Sequence, residues 1–398
     1  MYKIPHFDNI PCDNAFFGSK IDHSFREYGF AAVTQYDHFN LSGNRTIGQV
    51  KEELYPKICE FMEQEEDQKR LFSPEHARGQ RGYVPMGKEQ QLKDQLTQWW
   101  EYFMIGQALP SGFKKEADRH PLERYRPLFY LPNKHLTYEK ENPLITLGEE
   151  MVSLLEEVVL TALEKIAQAR GEWFGQYASK IAWGDHVLRL NYFTAIAEKD
   201  IVRASLVGNI TTLTGEKVND IPTIDIRTKG RIVRNVTRIG PHPCADFLTL
   251  LLDSEKCNIY YLNEQNQIVP FKIEEGQIIF KTGEFADYEI AEYRSRQHGV
   301  GISKEDANSS HILLSFYAHA RPLARIGQST EGLLLNERLS TIGHQTQGLA
   351  LVRNKTIRDL PSDEQMVKDL IEWEKVHGVE KLSRYFRLGE NREINKRE

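Results

Sequence analysis

Residues 242–251, which read HPCADFLTLL, carry the pattern that decides the fold of this chain. Side chains two residues apart on a strand point to the same face, so His242, Cys244 and Asp246 share a face if this segment is extended. An apolar run follows at once, and another histidine, His298, closes a later β-rich stretch. Two imidazoles and a carboxylate on one face are typical of a non-haem iron site. The segment therefore predicts a metal-binding end of a β-rich core.

Composition and charge argue against a nucleic-acid-binding protein and against a membrane-spanning protein. The chain has 398 residues, 40% of them hydrophobic, which is enough for a substantial core. Its net charge of −6 comes from interspersed acidic and basic residues, so we expect no nucleic-acid partner. No run of about 18 apolar residues is present, so we expect no membrane span. Four cysteines without a Cys-x-x-Cys pair, and opening residues that lack an apolar leader, predict a cytoplasmic protein.

The first part of the chain has helical periodicity. Residues 25–33 read as a helix end, a glycine and a short strand. Thr46 is placed to cap a helix with an apolar residue at every third or fourth position. The strongest helix runs from about residue 147 to 169, where an unbroken apolar stripe predicts one side that covers a sheet. Residues 78–85 contain glycine and proline and are predicted to form a loop.

From His186 onward the period of the apolar residues changes to two. Short segments rich in β-branched, leucine and aromatic residues, separated by turn signals, predict strands at residues 187–193, 247–252, 258–262, 277–280 and 312–317. Helices followed by many short strands predict a mainly β, α+β fold. Its core would be a jelly roll, or double-stranded β-helix, flanked by N-terminal and C-terminal helices.

These patterns divide the chain into three parts. We predict a largely helical N-terminal region over residues 1–180, a jelly-roll core over residues 181–345 and a C-terminal helical extension over residues 346–398. Within the core, residues 197–238 read as an inserted hairpin or loop. Long insertions beside an active site often act as lids or partner surfaces.

Ordered segments along residues 20–345 resemble the isopenicillin N synthase-like branch of the iron(II)/2-oxoglutarate-dependent oxygenases. That family places a His-x-Asp pair before a leucine-rich strand, and His242 falls in that frame. The resemblance implies a jelly-roll fold, Fe(II) bound by His242 and His298, and oxidation of a C–H bond with dioxygen. The other matching segments are residues 26–30 (REYGF), 82–87 (GYVPMG), 100–106 (WEYFMIG), 188–193 (LRLNYF), 276–283 (GQIIFKTG), 295–300 (SRQHGV) and 335–343 (LNERLSTIG).

Three positions depart from the pattern of that family. Its metal-binding aspartate aligns with Cys244. The arginine and serine of its Arg-x-Ser strand align with His311 and Leu313, and the tyrosine of its Asn-x-Tyr strand aligns with Phe193. An arginine there binds the 2-oxoglutarate carboxylate by a two-pronged hydrogen bond, which a histidine cannot reproduce. We therefore predict that 2-oxoglutarate is not used in the usual way, with His311, Phe193 and Arg189 as the candidate cofactor-binding residues.

The third metal ligand stays open at this point. A thiolate from Cys244 can bind iron(II), although it is a softer donor than a carboxylate and buried cysteines are commonly inert. Asp246 would restore the set of two histidines and one carboxylate if a bulge shifts the strand register. If neither residue binds, water or a halide completes the coordination sphere, or no metal binds and His242 is an ordinary buried histidine.

Two functions follow from these residues. The first is a non-haem iron(II) oxygenase or oxidase that uses dioxygen on a small-molecule or peptide-like substrate. The second is a catalytically degenerate oxygenase-fold protein retained for binding or regulation, because three chemical positions differ while the scaffold segments remain. Retention of iron separates the two hypotheses.

Overall fold

The computed structural model describes residues 9–39, 41–73, 81–87, 95–107, 121, 142–212, 215–244, 246–252, 257–321, 324–326, 333–334 and 363–386. The helices are α1 Phe17–Tyr28, α2 Ile47–Met62, α3 Glu66–Arg70, α4 Pro143–Ala169, α5 Ala178–Ile181, α6 Glu284–Glu289, α7 Lys304–Ala307 and α8 Asp363–His377. The strands are β1 Asn9–Pro11, β2 Phe30–Thr34, β3 Gly82–Val84, β4 Thr97–Gln98, β5 Glu101–Gly106, β6 Val187–Phe193, β7 Ile201–Val207, β8 Ile210–Thr211, β9 Lys217–Val218, β10 Ile221–Thr228, β11 Arg231–Thr237, β12 Ile239–His242, β13 Leu248–Leu252, β14 Asn258–Leu262, β15 Ile268–Phe271, β16 Gln277–Thr282, β17 His298–Gly301, β18 His311–Ala318, β19 Arg325–Ile326 and β20 Leu333–Leu334.

A large sheet forms the centre of the described part of the molecule, with strand order β1-β2-β16-β13-β18-β6-β5-β3. Alternate residues of its strands face two different hydrophobic clusters. On β13, Leu250 lies in the cluster on the helical side, whereas Leu251 lies in a second cluster. Ile259 and Val300, from a smaller sheet of order β12-β17-β14-β15, belong to that second cluster too. The second cluster therefore fills the space between the two sheets.

Helices α1 and α4 pack on the outer face of the large sheet, α2 packs on α4, and α7 packs on the sheet of β7 and β10. Thr46 forms a capping box with Gln49 at the start of α2, so the predicted cap is confirmed. Helix α4 begins at Pro143, four residues before the predicted start, because Asn142 caps it by accepting a hydrogen bond from the backbone N–H of Leu144 at 3.0 Å. Gly29, with φ of 74°, ends α1 and turns the chain into β2, as the sequence predicts.

The predicted strands are confirmed with small changes at their ends. Residues 187–193 and 258–262 are strands as predicted, while β13, β16 and β18 differ from the prediction by one or two residues at an end. The loop predicted over residues 78–85 is wrong for residues 82–84, which form β3. Tyr83 pairs with Phe103 of β5, a long-range contact that overrides the flanking glycine and proline.

The segment predicted as an inserted hairpin or loop is mainly a sheet. Strands β7, β10 and β11 pair with β4 in the order β4-β11-β10-β7, and β8 pairs with β9 in a hairpin. Ile221 and Val218 of this segment pack on Tyr260 and Leu262 of β14. Because Tyr261 faces the space between the two sheets, Tyr260 and Leu262 lie on the opposite side of β14. The insertion therefore covers the outer face of the smaller sheet.

The predicted C-terminal helix is present as α8. Met366 and Leu370 of α8 are fully buried in the helical-side cluster, together with Tyr385 beyond the helix end. The predicted segment at residues 335–343 lies outside the described residues. Among the helices that the structure describes, none has the length and apolar character needed to span a membrane.

Candidate metal centre

The two histidines indicated by the sequence lie side by side. His242 is the last residue of β12 and His298 is the first residue of β17. The two strands are antiparallel neighbours, and their register pairs His242 with His298. Their imidazole rings are 4.5 Å apart, centre to centre. Strand pairing therefore joins two side chains that are distant in the sequence.

Cys244 lies against the same pair. Its Sγ is 3.8 Å from Nε2 and 4.0 Å from Nδ1 of His298. One ligand atom each from His242, Cys244 and His298 all lie within 4.8 Å of one another, and the three residues are buried. Two donors that each bind an ion at about 2.0–2.3 Å are at most about 4.6 Å apart. This donor set fits a single metal ion with little movement, and imidazole and thiolate are both donors that iron accepts.

The orientation of His242 is fixed by a backbone contact. Its Nδ1 donates a hydrogen bond to the carbonyl oxygen of Gly240 at 3.0 Å, since that oxygen can only accept. The proton therefore sits on Nδ1, and Nε2 keeps its lone pair for a ligand. Metal-binding histidines usually have such a partner on the second ring nitrogen.

The position of Cys244 is fixed by the start of α6. The backbone N–H of Glu284 donates to the carbonyl oxygen of Cys244 at 2.9 Å, and the N–H of Phe285 donates to that of Asp246 at 3.1 Å. These N–H groups belong to the first turn of the helix and lack partners within it. The turn from β12 to β13 is thus tied to a neighbouring element.

Burial sets the protonation of the cluster. It lowers the pKa of His298 well below its usual range, and the positive charge of Lys281 and then His242 act in the same direction. Burial raises the pKa of the Cys244 thiol to about 11, with Lys281 opposing this effect. His298 is therefore neutral, which is the form that binds metals, and metal binding would displace a proton from Cys244.

Asp246 lies outside this group of three donors. It is fully buried, and its Oδ2 accepts a hydrogen bond from the Thr249 hydroxyl. A Cβ built on Gly283 would lie 1.9 Å from its Oδ1, so the carboxylate packs against the backbone there. Among the described residues, Oδ1 has no hydrogen-bond partner. Asp246 is placed to brace the turn between β12 and β13.

Apart from Cys244, the residues that depart from the oxygenase pattern lie together at the His311 end of β18. His311 and Phe193 are cross-strand partners, and Leu313 pairs with Asn191 in the next inward-facing row. Along β18, His311 is six residues from Tyr317, which corresponds to about 20 Å. None of His311, Leu313 and Phe193 provides a guanidinium group at this end of the large sheet.

Arg189 lies on the inner face of β6, among three aromatic rings. Its guanidinium carbon is 4.7 Å from the ring centre of Tyr102, 5.2 Å from that of Tyr317 and 5.3 Å from that of Trp100. Stacking on the faces of aromatic rings favours a guanidinium cation in this position. Its positive charge opposes the rise that burial causes in the pKa of Cys244 and adds to the fall that burial causes in the pKa of His298.

Lys281 is a further cation of this region, and no motif in the sequence points to it. Lys281 is fully buried on β16. The alternation of side chains along β16 could have indicated its position. Lys281 lies two residues from Ile279, which faces the space between the sheets, so both side chains lie on the same face. A lysine at an inward position of an otherwise apolar strand is unusual, because lysines are rarely buried without a partner.

Comparison with known proteins assigns the fold. No family model and no curated protein sequence matches the chain. A 2OG-Fe(II) oxygenase family protein from Caulobacter crescentus superposes with a TM-score of 0.62 at 17% identity, covering 84% of this chain and 98% of that one. The chain has the fold of the 2OG-Fe(II) oxygenases.

Two further structures agree with that result. A full-length Neurospora crassa protein in complex with alpha-KG and thymine has a TM-score of 0.57 at 14% identity, covering 82% of this chain and 90% of that one. JOX2 in complex with 2OG, Fe and JA has a TM-score of 0.58 at 13% identity, covering 87% of this chain and 88% of that one. At these identities the likeness concerns the fold.

Proposed function

We propose that this protein is a non-haem iron(II) oxygenase or oxidase that acts on a small organic substrate. The observation that carries the proposal is the buried group of His242, Cys244 and His298, with ligand atoms within 4.8 Å of one another. The fold shared with 2OG-Fe(II) oxygenases supports the choice of iron over other metals that imidazole and thiolate accept.

The sheet topology supports a double-stranded β-helix as the scaffold of this site. Along the chain, β12 lies in the smaller sheet, β13 in the larger, β14 and β15 in the smaller, β16 in the larger, β17 in the smaller and β18 in the larger. This alternation between two facing sheets is what a jelly roll requires. The proposed metal ligands come from β12, from the residues after it and from β17, at one end of that barrel.

The residues of this chain have separate tasks in the proposed reaction. His242, His298 and Cys244 would hold the iron, which would supply activation of dioxygen when bound. Gly240 orients His242 through its carbonyl oxygen. The apolar cluster between the sheets excludes water from the reacting centre. His311, Leu313 and Phe193 do not reproduce the usual carboxylate anchor, so we propose that 2-oxoglutarate is not bound there.

Iron binding is the first test. Protein reconstituted with iron(II) without oxygen should retain close to one equivalent, and His242→Ala or His298→Ala should each abolish retention, because two remaining donors hold a divalent ion weakly. His311→Ala is the matched control, since His311 is another buried histidine outside the donor group. Iron is measured by elemental analysis after gel filtration, with circular dichroism to verify folding.

The proposal has a clear contrary result. Wild-type protein that retains no divalent metal, or that retains zinc in preference to iron under anaerobic conditions, contradicts an iron oxygenase. Equal iron content in His311→Ala and in the two ligand variants would mean that the retained iron is bound elsewhere.

A further inference from the structure

Lys281 points into the space between the two sheets beside the candidate metal centre. In the strand register, Lys281 pairs with Thr249 and Thr249 pairs with Tyr317. Cross-strand partners share a face of the sheet, so these three side chains form one inward row. The Thr249 hydroxyl of this row donates a hydrogen bond to Asp246 Oδ2, in the turn that carries Cys244. The row that contains Lys281 therefore adjoins the donor group.

Lys281 makes few hydrogen bonds with the residues that the structure describes. Its side chain is fully buried. Among the described residues, its ammonium makes one hydrogen bond, to the carbonyl oxygen of Thr282 at 3.0 Å, and no ion pair. An ammonium group has three protons to donate, and a buried charge is costly unless it is paired. Lys69 provides the contrast, because that buried lysine is 2.7 Å from the Glu101 carboxylate.

Arg189 approaches the same space from another strand of the large sheet. It pairs with Ser315, which pairs with Leu251, in the inward row next to that of Lys281. Tyr317 belongs to the Lys281 row and its ring also packs on the Arg189 guanidinium. Lys281 and Arg189 thus lie in neighbouring inward rows of the large sheet, and Asp246 is bonded to Thr249 of the Lys281 row.

We propose that Lys281, assisted by Arg189, binds a carboxylate group of the substrate or of a 2-oxo acid co-substrate next to the metal centre. This inference rests on the proposed function and adds the chemical class of the ligand. A carboxylate is the group that pairs with the ammonium of Lys281 by a charge-assisted hydrogen bond, and the positive charge of Arg189 favours the same anion. The carboxylate would contact side chains from β6 and β16. The row of His311 and Phe193 lies at the other end of β18.

A structural role for Lys281 gives different expectations. In that case Lys281 serves as the counter-charge of Asp246, and its removal would leave a buried carboxylate alone. In the proposed role, Lys281 binds a ligand. Its removal from the ligand-free protein then takes away a buried charge that has no ion-pair partner among the described residues. The two roles predict opposite changes in the stability of the ligand-free protein.

The test uses succinate and 2-oxoglutarate as probes, with dimethyl succinate as the uncharged control. Binding to the full-length protein is measured by calorimetry and by the shift in melting temperature, with and without iron(II). We expect both dianions, but not the ester, to stabilise the wild type. Lys281→Met should weaken that binding about tenfold or more, because a charge-assisted hydrogen bond is lost. Its melting temperature without ligand should not fall.

Lys69→Met is the matched control for a buried lysine. It should lose stability, because the buried Glu101 carboxylate loses its ion-pair partner, and still bind the dianions with wild-type affinity. If Lys281→Met does not fold, Lys281→Gln keeps the length and polarity of the side chain and serves in its place. Unchanged dianion affinity in the folded Lys281 variant overturns the inference, as does a wild-type protein that binds neither dianion.

The experiment also separates the two sources of the carboxylate and the two proposals. Much tighter binding of 2-oxoglutarate than of succinate, only when iron is present, assigns the carboxylate to a 2-oxo acid that contacts the metal. Similar binding of both assigns it to the substrate. Lys281-dependent binding in the metal-free protein supports the carboxylate pocket by itself, whereas loss of iron retention contradicts only the proposed oxygenase.

Discussion

Cys244 is the residue at which this site differs most in chemistry from a site with two histidines and a carboxylate. Its thiol faces His298, and burial keeps it protonated until a cation displaces the proton. A thiolate donates more electron density to iron than a carboxylate and is a softer ligand. The iron should therefore carry a spectroscopic signature of sulfur.

Iron-loaded wild-type protein should show sulfur-to-metal charge-transfer absorption after oxidation or on binding nitric oxide. Cys244→Ala should remove the absorption and weaken iron binding by more than the roughly 10–100-fold loss that follows removal of an outer partner. Cys257→Ala is the matched control, because Cys257 is buried in the apolar cluster between the sheets and outside the donor group.

A substitution of Asp246 tests whether its carboxylate, and not the Cys244 thiolate, binds the iron. Since its carboxylate is bonded to Thr249 and packed against Gly283, Asp246→Asn should keep both the iron and the absorption, with some loss of stability. Titration of iron(II) into each variant, followed by absorption spectra, gives the answer. Loss of iron in Asp246→Asn with full retention in Cys244→Ala would place the carboxylate in the coordination sphere instead.

Among the secondary-structure elements, the turn between β12 and β13 packs closely against the backbone of Gly283. A Cβ on Gly283 would meet the Asp246 carbonyl oxygen at 2.1 Å as well as its carboxylate at 1.9 Å. Gly283 also donates its N–H to the carbonyl oxygen of Phe247 at 3.0 Å. The β16–α6 junction therefore positions the residues that carry Cys244, and a side chain there would push them apart.

Gly283→Ala is the corresponding prediction. Forcing a methyl group into a packed contact with backbone costs about 1–3 kcal/mol of unfolding free energy, and the displaced turn should reduce iron retention. Gly43→Ala is the control, since its Cβ would meet Leu154 at an ordinary 3.4 Å. Urea unfolding and iron analysis measure the two effects. A Gly283→Ala protein with wild-type stability and iron content would show that the turn moves freely.

Elements with a strong internal period could be predicted from the sequence, and contacts between distant segments could not. The stripe of α4 and the alternation of β6 are local patterns, so their bounds were close. Strand β3 was missed because it depends on pairing with β5. His242 and His298 were singled out from motif order, but Lys281 was missed, because a single lysine in a strand has no local signature until the register places it between the two sheets.

At the scale of the whole molecule, buried charges fasten the C-terminal segment to the helical layer. Glu374 of α8 accepts hydrogen bonds from Trp183 Nε1 at 2.6 Å and from the backbone N–H of Leu382 at 2.7 Å. Lys381, just beyond α8, forms an ion pair with Glu156 of α4. The last described segment is thus bound through charged groups as well as through its apolar face.

Glu156 should make this attachment sensitive to acid. Burial by itself raises the pKa of Glu156, but Lys381 and then His186, whose Nε2 lies 3.2 Å away, outweigh it and lower the pKa from 4.5 to about 2. A carboxyl whose pKa is lower in the folded state stabilises the fold above its unfolded pKa. This contribution is present above about pH 4.5 and is lost as the pH falls toward about 2. Glu156→Gln should remove it, at a cost of about 3–5 kcal/mol at neutral pH because Lys381 loses its partner.

Urea unfolding of wild type and Glu156→Gln across this pH range measures the difference. The gap between the two proteins should be widest near neutral pH and should narrow below pH 4.5, the ordinary pKa of the carboxyl. Glu364→Gln is the control, because Glu364 pairs with Lys368 on the exposed side of α8 and should change stability little. A gap that stays constant down to pH 2 would mean that folding does not shift the pKa of Glu156, so that its pairing with Lys381 contributes no pH dependence to stability.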